Sequence, residues 1–166
     1  MFGSHHRDAR SGAGRSRGAL LLAAALFAAA CGAQDVPDDA GEGGYAFDEQ
    51  PEAAAAMLTI PVDGDTVNSP VPVEMSAEAV DIVAAGAPEA GEAHLHVIVD
   101  TGCVGTGELI PGPSDEATAD GYNHFGDGST EGEIELEPGE YELCVQLADG
   151  VHRAFGETQV IEVTVE

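Results

Sequence analysis

The sequence predicts an all-β, Ig-like antiparallel β-sandwich of about seven to eight short strands, preceded by a disordered tether. Two observations carry that expectation. After Met57, apolar and polar residues alternate in short runs, the period-2 pattern of strands with one buried face, and no stretch carries a helical period. Between the runs stand turn-forming groups: Asp63-Gly64, Asn68-Ser69-Pro70, Pro111-Gly112-Pro113, Pro138-Gly139 and Asp149-Gly150. With no Trp, five Phe and three Tyr in 166 residues, the core must rest on Val, Ile and Leu. That suits a small β domain and not a large cavity.

Taken along the chain, the alternating runs place strands at 57–62, 71–76, 78–84, 93–100, 107–110, 131–137, 140–148 and 158–165. Pro138-Gly139 suits the centre of a type II turn and is expected to join the strands on either side as a hairpin. Alternation also assigns faces. Ile134 and Leu136 point inward between Glu133, Glu135 and Glu137, and Tyr141, Leu143, Val145 and Leu147 form a second inward row. In the last strand Ile161, Val163 and Val165 oppose Glu162, Thr164 and Glu166. Glu142, Cys144 and Gln146 then fall on the outer face, which places Cys144 near the surface.

The first third of the chain is organised differently. Residues 1–18 are rich in Arg, Gly and Ser and run into an apolar stretch, 19–30, in the order of a signal peptide. Twelve helical residues reach about 18 Å, short of the roughly 30 Å of a membrane's hydrocarbon core. Ala28-Ala29-Ala30-Cys31-Gly32 resembles the lipobox of bacterial lipoproteins, whose invariant cysteine receives diacylglycerol, although Ala28 stands where leucine is usual. The same alanines also fit the A-x-A pattern of ordinary signal peptidase, which would release a soluble protein. Cysteine arithmetic favours lipidation of Cys31, because it leaves Cys103 and Cys144 as an even pair for a disulfide in an oxidising compartment. Residues 31–56 are rich in acid, Gly, Pro and Ala and read as a flexible, lipid-anchored tether of roughly 25–30 Å. The expected organisation is thus a removed leader (1–30), a tether (31–56) and a β-sandwich (57–166), exported and held to the membrane or envelope through Cys31.

Charge narrows the partners. The chain has 31 acidic residues and five arginines. Removal of 1–30 takes four of those arginines and only Asp8, leaving 30 acids against Arg153 alone, a net of −29. Such a surface repels nucleic acid. The scattered acids read as a solvated surface suited to a salty medium, with cation binding as the alternative.

His94 and His96 are the residues most suggestive of chemistry. Two apart in a strand, they project from one face, opposite Leu95, Val97 and Val99, and are not core residues by pattern. A third ligand from a predicted loop, His124 or His152, would complete a zinc or copper site. The bland alternative is polar surface. Cys103 and Cys144 as thiolate ligands lack a C-x-x-C spacing. The segment 120–131 has the length of a calcium loop, but Tyr122, His124 and Phe125 stand where oxygen ligands and glycine are required. A structural loop fits better, with Gly126 and Gly128 permitting tight turns. No nucleophile stands beside a base and no Gly-rich phosphate cradle leads into a helix, so an enzyme is not expected.

The runs AHLHVIVD (93–100), GELIP (107–111), HFGDGSTE (124–131), LEPGEYELCVQLADGVH (136–152) and IEVTV (161–165), with DGDTVNSPVPVEM (63–75) upstream, resemble a bacterial envelope family catalogued as domain of unknown function 4399. The motif loop of that likeness comprises His124, Phe125, Gly126, Gly128, Thr130 and Glu131. Ala93 and Tyr141 stand where the family often shows further histidines. The resemblance implies an exported β-sandwich and no established activity. The expected function is therefore a non-enzymatic, lipid-anchored binding or accessory module without a cofactor, its protein or small-ligand partner unidentified. The alternative is a periplasmic or cell-surface zinc- or copper-binding protein.

Overall fold

Side-chain alternation decides which residues meet in the folded chain. The structure, a computed structural model, describes residues 46–166. The leader, Cys31 and most of the tether lie outside the described residues. The strands are β1 (Ala55–Ile60), β2 (Thr66–Val67), β3 (Val71–Glu78), β4 (Asp81–Ile82), β5 (Glu92–Val99), β6 (Tyr122–Phe125), β7 (Glu131–Ile134), β8 (Gly139–Ala148) and β9 (Ala154–Val165), with one short helix, α1 (Asp115–Ala119), before β6.

Two layers of an Ig-like sandwich result. In one, β6, β5, β8 and β9 are antiparallel neighbours; in the other, β1, β3 and β7 are. A parallel contact of Ala55 with Glu157 links β1 to β9 and makes the hydrogen-bonded path continuous. Inward rows from both layers share one core: Leu58, Val73 and Met75 face Leu95, Val97, Leu143, Val145, Ile161 and Val163. The inward rows read from β7, β8 and β9 are those observed, with Tyr141 and Leu136 at the margin.

Several expectations are corrected. The domain begins before residue 57: Phe47 packs on the core, Ala54 and Ala56 are buried in it, and the Phe47 ring lies edge-on to Phe155 and under the Arg153 guanidinium. Residues 47–56 are thus folded where a tether was expected, because a single aromatic and small alanines suffice to seal the end of a narrow core. The run at 78–84 yields only the two-residue β4, and 107–110 makes only a bridge of Leu109 to Arg153. Pro138-Gly139 does not join a hairpin, because β7 pairs with β3 while β8 pairs with β5 and β9, so the 134–139 segment crosses between layers. Residues 115–119 form a helix too short to show a period, capped by the Ser114 hydroxyl, which accepts from the Ala117 N–H. Among the described residues nine strands form, β2 and β6 joining those read from the sequence.

Cys144 is fully buried, contrary to its expected surface position. It is joined to Cys103, and the chain after β5 lies over the outer face of β5 and β8. There Ile98, Ile110, Cys144, Ala148 and Ala154 form a second apolar cluster, flanked by Val104 and Tyr122. The Gln146 amide clasps the backbone of Val104, accepting from its N–H at 2.9 Å and donating to its carbonyl at 2.6 Å. With the two cysteines at a sequence separation of 41, the C103A/C144A double variant is expected to lose about 2–4 kcal/mol of stability in urea unfolding.

Candidate metal centre

Strand β5 carries the centre of the site. Leu95, Val97 and Val99 fill the sandwich core, so His94 and His96 must project from the other face, as the alternation requires. That face is not open to water: His94 is 1 % exposed and His96 0 %. The expectation that they lie on the surface is corrected by the cover supplied by β6, by the segment after β5 and by the β8–β9 turn.

β6 brings the third histidine. His124 pairs directly with His96 across the β5–β6 ladder, so the two side chains share a face. It belongs to a strand and not to the loop expected for it. Gly126 fixes its ring: a Cβ built there would collide with the His124 imidazole. This glycine lies in the turn after β6, but its φ is not positive, so what requires a glycine there is room for the ring. Gly128, with φ of +84°, is a turn glycine of the ordinary kind.

The fourth comes from the turn after β8. Ala148 is the cross-strand partner of His94, and the chain then doubles back. The buried Asp149 carboxylate accepts from the N–H groups of Val151 at 3.0 Å and Arg153 at 2.9 Å, and the His152 N–H donates to the Asp149 carbonyl. His152 sits at φ of +71°, a left-handed conformation costly for a residue with a Cβ and held by these bonds. Ala85 and Gly86 tie the two histidine-bearing segments to one strap, their N–H groups donating to the carbonyls of Gly126 at 2.9 Å and Gly150 at 3.1 Å.

All four residues named from the sequence thus converge. Nε2 of His94 lies 3.0 Å from Nε2 of His96, and Nε2 of His152 lies 3.1 Å from Nε2 of His124. One ligand atom from each of the four lies within 4.8 Å of the others. The six ring-centroid separations run from 4.8 to 5.6 Å. Gln146, Asp149 and the strap are the supporting residues that sequence reasoning missed, since their roles depend on contacts made far along the chain; Gly126 is named there, but as a turn glycine. Thr130 and Glu131, in the same motif, hold the sandwich together: the Thr130 carbonyl accepts from Met75, and Glu131 pairs with Glu74. Phe125 packs against the core. The 120–131 segment is strand and turn, in keeping with the rejected calcium loop.

Burial sets the protonation of the cluster. Desolvation, followed by the charges that His152 and His124 would carry, pushes His94 down to about 3 from the ordinary 6.5. Desolvation and then His94 push His96 down to about 2. His124 is also lowered, by desolvation first and then His152, against the opposing pull of Asp127. The rings of His94, His96 and His124 are therefore neutral and present lone pairs at neutral pH. Nδ1 of His94 and of His96 has no hydrogen-bond partner among the described residues. A buried polar atom without a partner costs about 1–3 kcal/mol.

The family model described as Domain of unknown function (DUF4399) matches residues 73–166. No curated protein matches. Among solved structures, the Clostridium thermocellum CbhA fibronectin(III)-like modules are similar at 14% identity and a TM-score of 0.42, over 70% of this chain and 48% of that one. The chain spans about half the length of that structure.

The lowered pKa values give acid stability a definite sign. The unfolded chain takes up protons that folded His94 and His96 refuse, so their contribution is complete above 6.5 and is lost as pH falls toward about 3 and about 2. Below pH 6.5 the metal-free protein is expected to lose stability with a slope approaching about 1.4 kcal/mol per pH unit for each of the two. Urea unfolding across that range measures it, and the slope should flatten in the H94Q/H96Q variant.

Proposed function

The chain belongs to the DUF4399 family, a domain family of unknown function, and we propose that its Ig-like domain binds one transition-metal ion through His94, His96, His124 and His152. The observation that carries this reading is the near-equality of the six ring separations, 4.8–5.6 Å, around one common point. Imidazole nitrogens bind zinc at about 2.0–2.1 Å, which in a tetrahedral set puts them roughly 3.4 Å apart. The two closest nitrogen pairs, at 3.0 and 3.1 Å, need only small shifts to reach that spacing. Packing four imidazoles together leaves buried nitrogens competing for few protons, and an ion would satisfy the converging lone pairs at once. Imidazole donors suit zinc and copper. The acidic surface supports the reading in a general way, by raising the local concentration of cations.

Zinc retention tests it. The tag-free full chain, incubated with zinc sulfate and desalted, is expected to keep one zinc per chain. The H94A/H96A variant should keep less than about a tenth of an equivalent. His5→Ala with His6→Ala, in the leader, should change nothing at this site. Gly126→Ala, which alters no ligand, is expected to weaken affinity about 10–100-fold by displacing the His124 ring. Loss of zinc from the unaltered chain on desalting would overturn the reading.

We also propose that the domain is exported and anchored through lipid on Cys31. What supports this is the Cys103–Cys144 disulfide, a bond of oxidising compartments, which takes up two of the three cysteines and leaves Cys31 as the odd one. Mass spectrometry of protein from its native envelope is expected to find diacylglycerol on an N-terminal Cys31; an unmodified Cys31 would refute the anchor.

A further inference from the structure

The arrangement of the four rings constrains what kind of ion the centre accepts, a step that rests on the metal-binding reading above. Four ligands can surround an ion in a square or in a tetrahedron. In a square, two of the six ligand separations are diagonals, about 1.4 times the four edges. Here the shortest of the six centroid separations is 4.8 Å and the longest, His96 to His152, is 5.6 Å. No pair of ring centroids stands out as a diagonal; the ligand nitrogens, 3.0 and 3.1 Å apart in two pairs and all within 4.8 Å, have still to draw together around an ion. A regular tetrahedron with edges of this size has its centre about 3 Å from each ring centroid, close to the roughly 3.2 Å that a metal–nitrogen bond of about 2.1 Å and the radius of an imidazole together require.

The frame resists flattening. His94 and His96 are locked on a strand buried on both faces, and His124 is fixed by the β5–β6 ladder on one side and by Gly126 beneath its ring. His152 is held at its left-handed backbone by Asp149, and its ring lies beside Gly112 of the covering segment. The ligand set also numbers four: one imidazole nitrogen from each histidine, all within 4.8 Å of one another, with buried His94 and His96 closing the inner side to water. Hydrolytic metal sites need three protein ligands and a water-bearing fourth position.

We propose that the centre holds its ion four-coordinate and tetrahedral, with nitrogen ligands only and no position for water, and that it therefore takes a d10 ion, zinc(II) or copper(I), to hold or hand on and not to activate water. The geometry that suits copper(I) disfavours the tetragonal coordination of copper(II).

Cobalt(II) reads the geometry directly, because its four-coordinate tetrahedral complexes show intense visible bands and its six-coordinate ones only faint bands. The tag-free full chain loaded with one equivalent of cobalt is expected to turn intensely blue, and the bands should vanish on addition of one equivalent of zinc. Cobalt that is retained on desalting but gives the faint six-coordinate spectrum would overturn the tetrahedral assignment while leaving metal binding intact. Failure to retain cobalt or zinc at all would instead overturn the metal-binding reading. Copper supplies the second arm. Under anaerobic ascorbate the chain is expected to take one copper(I) from a chromophoric chelator, and added copper(II) should give a flattened-tetrahedral electron paramagnetic resonance signal; an ordinary tetragonal signal would again refute the assignment. Zinc and copper(I) offered together then show which of the two the centre prefers.

Discussion

Everything in this domain follows from one constraint: strand β5 is buried on both faces. A β-strand in a two-layer sandwich ordinarily turns one face to the core and the other to water. Here Leu95, Val97 and Val99 meet the opposite layer, while His94, His96 and Ile98 are sealed as completely on the outside. Sealing that outer face requires a second, smaller core, and the covering chain contributes Val104 and Ile110 to it. The Cys103–Cys144 bond and the Gln146 clasp on Val104 pin this cover to β8. The same cover that buries Ile98 therefore removes water from the two histidines beside it. Position and protonation have a common cause, because the burial that fixes the rings is also what keeps them neutral.

Much of this was legible in the sequence, and the limits have physical reasons. Period-2 alternation shows directly that His94 and His96 share a face and that Tyr141, Leu143, Val145 and Leu147 share another. It reports on one strand at a time and says nothing about what lies over a face, so Cys144 and the histidine pair were expected at the surface. β6 escaped notice because YNHF has no apolar alternation of its own; its strand character comes from pairing with β5. Pro138-Gly139 has the chemistry of a tight turn, yet the strand before it finds its partner in β3, a contact spanning about sixty residues that no local signal encodes. Odd-numbered cysteines gave the disulfide correctly, since pairing by elimination needs no knowledge of depth.

The supporting residues illustrate the same boundary from the other side. Gly126 reads locally as a turn glycine, but the turn does not need it; the ring of His124 does. Asp149 reads as an ordinary Asp-Gly turn, and its carboxylate does bond the turn's own N–H groups. What the turn accomplishes, however, is to deliver His152 to a point defined by three residues elsewhere in the chain. Such residues become visible only when the endpoints they connect are placed in space.

Two buried imidazoles, each with an unpartnered Nδ1, beside two half-buried ones are a poor solution to the problem of filling an outer core. Leucine or valine at 94 and 96 would continue the apolar surface of Ile98 and Ala148 at no polar cost, and would spare the domain its loss of stability in acid. The left-handed backbone at His152 and the obligatory glycine under His124 add further penalties on the same side. Each of these departures from stable packing has the same geometric result, a nitrogen lone pair directed at one point. Filling the outer core does not require four rings to converge, whereas the proposed cation at that point would account for the convergence, which is why it weighs more than any one histidine.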